Sequence, residues 1–477
     1  MVASLAVLLF FTFGRLKEPA NAIAIVLSRL WIPYAVLNID TLWILIPEVI
    51  LLVAFAVLIA ARLKDPRKAT GFLNVFAIVL AAMPVFQILS VKAPGAVPRP
   101  KHRPVPFALA SPPADRSRPD IYYIILDAYA RTDVMKSLFD FDNSEFLAHL
   151  ERKGFFVARR STANYCQTPL CLSSSLNASY LDELVKGLGN DQTELSDLIG
   201  KNDVVASLRP LGYKFVTFST GFDPTEHPEA DVYLSPHAYI GGFERMLIEM
   251  TPLQRVWPTR RWEDQYTLAR ERILYLLDQL PEVARNPAPT FTLAHLLCPH
   301  LPFVFDEKGK DVSRRYNVYA LSDGNRVDGR FRSPDDFRQA YRSQAAFITR
   351  RIEETIDRLL AESPEPPIII LQSDHGSELY LDYNNVHHTD LHERMSILNA
   401  YYFPGRRYER LYEGISPVNS FRVVLNTFFG AALDLLPDKN FFSTWSDPYT
   451  FIDVSDAVRS AERASPPDPP RRNPADS

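Results

Sequence analysis

Four short apolar runs between residues 121 and 372 constrain the fold of this chain more than any other feature. Each run is rich in β-branched and aromatic residues and ends in polar ones, a pattern typical of strands covered on both faces of a parallel sheet. The four predicted strands are Ile121–Leu126, Lys214–Ser219, Thr290–Leu296 and Pro367–Gln372. Because helical segments alternate with them, we expect an α/β domain with a mainly parallel sheet flanked by helices.

The clearest helix is predicted over Asp335–Glu362, where apolar residues recur every three or four positions and form one stripe. Ser333 is suited to cap its N-terminus and Pro334 to its first turn, and Asp336 completes a capping box. This segment supports the alternation of strand and helix.

Side chains that can bind metals follow three of the four predicted strands. They are Asp127 after the first strand, His295 and His300 at the end of the third, and Asp374 and His375 after the fourth. Parallel strands place their carboxyl ends at one edge of the sheet, and α/β folds bind ligands there. The sequence therefore predicts a functional site at this edge.

Asp127, Asp374 and His375 offer oxygen and nitrogen ligands of the kind that a divalent ion such as zinc or manganese takes. Thr168 can complete the set, because Pro169 fits the first turn of a helix through residues 170–181 and places Thr168 at or near the N-cap. A bound metal and the positive end of the helix dipole would both favour a threonine alkoxide. The N–H groups of the first turn would hold the oxygens of a phosphoryl or sulfuryl group.

Four motifs carry these residues in a fixed order: PDIYYIILDAYAR, NYCQTPLCLSSSLN, HLLCPHLPF and SDHG. Over roughly residues 119–403, the chain resembles the sulfatase-like branch of the alkaline phosphatase superfamily. The sulfatase signature Cys-x-Pro-Ser-Arg falls on Thr168, with Cys171 and Leu172 in its Ser and Arg places, which argues against ordinary sulfatase activity. Threonine at the first place is similar to lipoteichoic acid synthases and lipid A phosphoethanolamine transferases, which are membrane-anchored and have an extracytoplasmic catalytic domain.

The resemblance implies a role for each candidate residue. The metal ligands would be Asp127, Thr168, Asp374 and His375. Thr168 and His300 would be catalytic, with Thr168 attacking phosphorus to form a phosphothreonine that an alcohol or water then resolves. The transferred group would contact the histidines His295, His300, His387 and His388. Of these, His387 follows His375 by twelve residues, as a second histidine does in the transferases.

Several alternatives stay open at this point. The enzyme could be a sulfuric ester hydrolase, or the domain could be a non-catalytic sulfatase-like module, although the intact Asp374–His375 pair argues against the module. His295 could be a satisfied histidine inside the sheet, and only one of His387 and His388 is expected to function. Cys166 and Cys298 could form a disulfide or stay free.

The first 92 residues are strongly apolar and predict a transmembrane region. Residues 41–61 contain one charge and residues 71–91 contain none, so each is long enough to span a bilayer. The segments 3–13 and 20–40 leave the number of earlier spans open. Residues 93–119 are rich in proline and predict a linker, 120–460 form the catalytic domain, and 461–477 predict a disordered tail.

Basic residues in the short loop between the two spans favour its placement in the cytoplasm, whereas the basic residues after the second span, Lys92, Arg99, Lys101 and Arg103, favour the opposite orientation, so charge alone leaves the orientation open. The resemblance to the membrane-anchored transferases implies an extracytoplasmic catalytic domain, in a multi-pass protein of a bacterial inner membrane. The net charge of −4 gives no basic footprint for nucleic acid. The membrane anchor indicates a membrane lipid or an envelope glycan as the substrate.

Overall fold

The computed structural model of the chain describes residues 103–110, 118–236, 265–312 and 333–464, together with a few isolated positions between residues 50 and 78. The predicted spans 41–61 and 71–91 lie almost wholly outside these residues, and so does the tail beyond residue 464. Among the helices in the described part of the chain, none is both long and apolar enough to cross a bilayer. The described ranges from residue 103 onward belong to one compact unit of the chain.

A seven-stranded sheet forms the centre of this unit. Its strands are β1 Ile121–Leu126, β2 Phe156–Val157, β3 Lys214–Phe218, β4 Val232–Leu234, β5 Thr290–Leu296, β6 Ile368–Gln372 and β7 Asn399–Tyr402. They lie side by side in the order β2-β7-β6-β1-β5-β3-β4. All four predicted strands are present, and their ends agree with the prediction to within one residue. A second, two-stranded sheet pairs β8 Phe441–Phe442 with β9 Ile452–Asp453.

The pairing of the central strands is parallel, as predicted. Strand β1 pairs in parallel with β5 on one side and β6 on the other, and β3 pairs in parallel with β5 and β4. The edge formed by β7 and β2 is antiparallel. The sheet is thus mainly parallel, with an antiparallel edge that the sequence did not indicate.

Helices cover both faces of the sheet. The described α-helices are α1 Thr132–Phe139, α2 Ser144–Arg152, α3 Thr168–Leu176, α4 Thr193–Gly200, α5 Asp203–Leu208, α6 Gln265–Gln279, α7 Pro334–Glu362, α8 Leu391–Met395, α9 Pro417–Phe428 and α10 Ser455–Ala464. Helix α7 is the predicted amphipathic helix, and the side chain of its N-cap Ser333 accepts a hydrogen bond from the Asp336 amide. Helix α10 extends to Ala464, four residues beyond the predicted end of the domain.

Side chains of β1 alternate between two hydrophobic cores. Tyr122, Ile124 and Leu126 pack into one core with residues of α1, α2, α6 and α7. Ile121, Tyr123 and Ile125 pack into the other with residues of α3, α5 and α9. Because both faces of this strand are covered, a continuous apolar run rather than an alternating one is required here. The buried position of β1 fixes where this strand ends and therefore where Asp127 lies.

Part of the predicted linker is bound to the domain. The backbone amide of Val105 donates to Asp203 Oδ1 at 2.7 Å, and that of Phe107 donates to Ser207 Oγ at 2.7 Å. The amide of Ala110 donates to the Phe429 carbonyl at 2.9 Å. Residues 103–110 are neither helix nor strand, as a proline-rich segment predicts, but they are held by the domain.

Candidate active site

The carboxyl ends of β1 and β6 bring Asp127, Asp374 and His375 together at one edge of the sheet, where the sequence places the ends of parallel strands. Each residue offers a ligand atom, and these atoms all lie within 4.8 Å of one another. His375 Nε2 lies 3.3 Å from Asp374 Oδ2 and 3.7 Å from Asp127 Oδ1. All three side chains are buried, with Asp127 the most exposed at 2%.

The hydrogen bonds of these residues leave two carboxylate oxygens without a donor. His375 Nδ1 donates to the Gly376 carbonyl at 3.0 Å, which makes Nε2 the acceptor nitrogen. Asp374 Oδ1 accepts from the backbone amides of Ala128 and His375. Asp127 Oδ1 and Asp374 Oδ2 are buried and accept no hydrogen bond from any residue that the structure describes. Since burying a carboxylate oxygen without a partner is costly, this group is well suited to a divalent cation.

Thr168 lies next to this group at the start of α3. Its Oγ1 is 3.0 Å from His375 Nε2, and the residue is 5% exposed. The prediction placed Thr168 at or near the N-cap, and the structure places it next to the N-cap: Gln167 has the extended backbone of an N-cap, and Thr168 is the first helical residue. The helix also ends at Leu176, before the predicted residue 181, because Ala178 has a left-handed backbone with φ 46°.

Gln167 fixes the start of α3 through its side chain. Its Nε2 donates to the Ser443 carbonyl at 3.1 Å and to the Thr444 carbonyl at 3.3 Å. With Pro169 in the first turn, the helix begins at a defined position. The backbone N–H groups of that turn have no partner within the helix, so an anion can bind beside the Thr168 hydroxyl.

His295 lies behind Asp127 in β5. Its Nε2 is 3.1 Å from Asp127 Oδ2, and its Nδ1 is 3.0 Å from Thr225 Oγ1. Both ring nitrogens are thus occupied by protein groups. The contact orients the Asp127 carboxylate so that its other oxygen faces His375.

His300 faces the site from the loop after β5. Its Nε2 lies 3.3 Å from Glu378 Oε2, and its Nδ1 lies 2.5 Å from the Leu301 carbonyl. Both neighbours are oxygen atoms, a carboxylate on one side of the ring and a backbone carbonyl on the other. The rings of His300 and His375 are 6.2 Å apart between centroids.

Sequence reasoning missed Glu378, which is 1% exposed and follows Asp374 by four residues in the run SDHGSE. That short spacing from the motif is the signal that could have indicated it.

Arg394, at 0% exposure, is a second residue that sequence reasoning missed. Its Nε and Nη2 donate to the Cys166 carbonyl at 2.9 and 2.6 Å, and its Nη1 donates to the Gly376 carbonyl at 3.3 Å. The first carbonyl lies two residues before Thr168, and the second accepts the His375 ring N–H. One guanidinium therefore ties the threonine segment to the histidine segment. Nothing in the local sequence distinguishes this arginine from a surface residue of α8.

The two remaining predicted histidines lie on the surface. His387 and His388 are exposed on a short 3-10 helix, Val386–His388. His388 Nδ1 is 3.6 Å from Asp382 Oδ2 and 3.3 Å from Asn385 Nδ2. Their assignment to substrate binding stays a prediction.

All three cysteines are buried free thiols. Cys166 and Cys298 are therefore not paired with each other. Burial raises the pKa of the Cys171 and Cys298 thiols well above the usual range, which keeps them protonated. Since the thiolate is the reactive form, neither is suited to act as a nucleophile. Of the hydroxyl and thiol groups in residues 164–177, Thr168 is the one that contacts the Asp–His group.

A pocket opens beside Thr168 and gives the site access to solvent. Its polar lining residues include Asp127, Thr168 and His300, and its apolar lining residues include Phe222, Leu297 and Trp445. A reacting group could therefore reach the threonine oxygen while the rest of its molecule contacts the apolar residues.

Comparisons with known proteins find similarity in structure but not in sequence. No protein-family model matches the chain. No curated protein matches it either.

Three of the solved structures that match show which kinds of protein have a similar fold. The C-terminal periplasmic domain of EptC from Escherichia coli, in complex with Zn, matches with a TM-score of 0.47 and 11% identity, over 76% of this chain and 99% of that one. Lipooligosaccharide phosphoethanolamine transferase A (EptA) from Neisseria meningitidis, an integral membrane protein, matches with a TM-score of 0.41 and 12% identity, over 83% of this chain and 70% of that one. A 2-O GAG sulfatase matches with a TM-score of 0.42 and 11% identity, over 72% of this chain and 75% of that one.

These structures are phosphoethanolamine transferases and a sulfatase, the kinds of enzyme that the motif resemblance predicts. At TM-scores below 0.5, they carry no inference about the chemistry of this chain. That inference depends on the side chains described above.

Proposed function

We propose that this chain is a membrane-anchored, metal-dependent enzyme that transfers or hydrolyses a phosphoryl-linked group, with Thr168 as the nucleophile. One observation carries the proposal: Thr168 Oγ1 lies 3.0 Å from His375 Nε2, beside the two carboxylate oxygens that lack donors. A hydroxyl at the start of a helix, next to a group that fits a cation, is the arrangement that activates a weak nucleophile.

Asp127, Thr168, Asp374 and His375 would hold the ion, and their mixture of oxygen and nitrogen atoms suits zinc or manganese. When bound, the ion would favour the deprotonated form of the threonine oxygen and offset charge on the transferred group. His295 would hold Asp127 in place through their 3.1 Å contact. His375 would be held by its own hydrogen bond to the Gly376 carbonyl.

The reaction would be a double displacement. Thr168 Oγ1, whose proton has been released to solvent, attacks phosphorus as the alkoxide, the bond from phosphorus to the leaving oxygen breaks, and His300 gives the leaving oxygen a proton. The N–H groups at the start of α3 hold the phosphoryl oxygens. An acceptor alcohol or water then loses its proton to His300 and attacks the phosphothreonine, which regenerates Thr168. Glu378 lies 3.3 Å from His300 and would stabilise its protonated form.

The substrate and the location follow from the predicted anchor rather than from the site. A catalytic domain outside the cytoplasm, next to two predicted spans, would act on a membrane lipid or an envelope glycan. This part of the proposal rests on residues 41–61 and 71–91 being transmembrane.

The test uses the full chain with bis(4-nitrophenyl) phosphate and 4-nitrophenyl sulfate as probes. Thr168→Ala is expected to lower turnover of the phosphodiester by about a thousandfold or more, because the substitution removes the attacking oxygen. Thr168→Ser should keep part of the activity, and mass spectrometry should find an adduct on the Thr168 peptide of the wild type. Ser173→Ala is the matched control, since its hydroxyl lies in the same helix but donates to the Leu195 carbonyl.

Three outcomes would contradict the proposal. Full turnover by Thr168→Ala would exclude the threonine as the nucleophile. Turnover of the sulfate ester alone would support a sulfuric ester hydrolase. No turnover and no adduct in the metal-loaded wild type would support a non-catalytic module.

A further inference from the structure

Trp445 is one of the residues that line the pocket that contains Thr168. Its side chain is 39% exposed, and it lines the same pocket as Asp127 and His300. A single exposed tryptophan needs no explanation by itself. This one, however, is part of the wall beside the reacting hydroxyl, where a substrate must pass or rest.

The position of Trp445 is fixed by its neighbours. Its ring packs edge-on against Tyr383 with centroids 5.4 Å apart, and the Tyr383 hydroxyl accepts a hydrogen bond from Arg394 at 2.8 Å. The two residues before it are held by Gln167 through the Ser443 and Thr444 carbonyls. The indole is therefore presented as a preformed surface, and little conformational entropy would be lost when a ligand packs on it.

Phe222 and Leu297 complete the apolar lining of the pocket. Phe222 packs against His295 with ring centroids 6.4 Å apart, so it is also tied to the site. The lining thus combines polar residues suited to the reacting group with aromatic residues suited to the part that does not react.

The surroundings of Trp445 are polar rather than lipid-like. Gln192 Nε2 donates to the Trp445 carbonyl at 3.4 Å. The exposed Asn190 donates through Nδ2 to the Ser446 carbonyl at 2.6 Å and to Asp447 Oδ1 at 3.1 Å. Amide and carboxylate groups in the segment that carries an aromatic ring match the chemistry of a sugar, which has an apolar ring face and a rim of hydroxyls. An acyl chain would instead require a continuous apolar surface.

We propose that Trp445 is the surface on which a sugar ring of the substrate packs while its phosphoryl group lies at Thr168. This inference rests on the proposed function, because the sugar would belong either to the phosphoryl donor or to the acceptor alcohol of that reaction. It assigns to the site a substrate class, a phosphorylated or phosphate-accepting glycan. Trp445 is accordingly a residue that determines specificity.

The experiment measures binding in the Thr168→Ala background, so that turnover plays no part. The full chain is loaded with zinc, which Asp127, Asp374 and His375 would still hold, and the zinc content of each variant is measured. The loaded chain is then titrated by calorimetry with glucose 6-phosphate, glycerol 3-phosphate and octyl phosphate, in a detergent without a sugar headgroup. Adding Trp445→Ala should weaken glucose 6-phosphate binding by about tenfold and leave glycerol 3-phosphate binding unchanged. Trp445→Phe should restore most of the affinity. Leu435→Ala, which removes another side chain that is 39% exposed, is the control.

Equal weakening for glucose 6-phosphate and glycerol 3-phosphate would overturn the proposal, because the tryptophan would then act on the phosphate or on the fold. Weakening for octyl phosphate alone would identify an acyl chain as the occupant. No binding of glucose 6-phosphate, or no effect of Trp445→Ala, would also overturn it. Failure of the proposed function would be seen separately, as turnover retained by Thr168→Ala.

Discussion

Gly376 offers a direct test of how tightly the site is built. A methyl group at this position would overlap the carbonyl oxygen of Glu393 and lie 2.9 Å from that of Ser396 and 3.1 Å from that of Arg394. These are backbone atoms around α8, so they cannot rotate away as a flexible side chain would. The backbone of Gly376 does not require glycine for conformational reasons, because its φ is not in the left-handed region. Any effect of Gly376→Ala is therefore steric.

The magnitude follows from this crowding. Overpacking of a well-packed interior typically costs 1–3 kcal/mol, and a clash with fixed backbone lies at the upper end, so we expect Gly376→Ala to lose about 3 kcal/mol of unfolding free energy. The shift should also reach the site, because the Gly376 carbonyl accepts from both His375 and Arg394. Zinc affinity should fall by about tenfold or more, as when the supporting contacts of metal ligands are lost.

The assay is urea unfolding with and without a chelator, together with a zinc titration. Gly414→Ala is the matched control, since the nearest atom to its added methyl is the Arg160 carbonyl oxygen at 3.9 Å, an ordinary contact. It should change the unfolding free energy by no more than about 1 kcal/mol, in either direction. If Gly376→Ala is as stable as Gly414→Ala in the chelator and binds zinc as well as the wild type, the described packing around the SDHG motif is wrong.

Three further predictions concern single side chains. Asp374→Asn should weaken zinc binding about a hundredfold or more in a chelator competition, whereas the surface variant Asp197→Asn should not change it. Arg394→Lys should lower kcat for bis(4-nitrophenyl) phosphate by about tenfold or more with little change in KM, because a lysine cannot hold the Cys166 and Gly376 carbonyls together. An unchanged kcat would count against the positioning role of Arg394. Burial raises the pKa of Glu393 from 4.5 to about 7. The folded state then holds a proton that the unfolded state releases, so stability falls as pH rises through this window, by up to roughly 1 kcal/mol per pH unit. Urea unfolding at pH 5 and pH 8 should show a smaller difference for Glu393→Gln, and an equal difference would refute the assignment.

The central sheet could be predicted because its strands are buried on both faces. Residues 121–126 form an unbroken apolar run that leaves little choice of structure, and Asp127 necessarily follows at the strand end. Strand β7 was harder, since Asn399–Tyr402 is short and begins with a polar residue. The polar start is explained by Asn399 Nδ2, which donates to Ser161 Oγ at 3.0 Å and to the Tyr401 hydroxyl at 2.9 Å.

The convergence of Asp127, Asp374 and His375 could be predicted because strand ends share one edge of a parallel sheet. The contact of Thr168 with His375 needed the motif resemblance as well, since no periodicity relates residues 207 positions apart. The supporting residues could not be predicted. Arg394 and Glu378 act through side-chain contacts that exist only once the loops have folded together, and their residue types are common on surfaces.

The three inaccessible thiols make the domain a convenient subject for site-directed labelling. A thiolate is the form that attacks a maleimide or a thiol-reactive spin label. All three sulfurs are buried, and burial raises the pKa of the Cys171 and Cys298 thiols well above the usual range. A single cysteine introduced at the exposed Ser446 would then be the one thiol to react, without removal of the native three. A probe attached there could follow ligand entry beside the indole in real time.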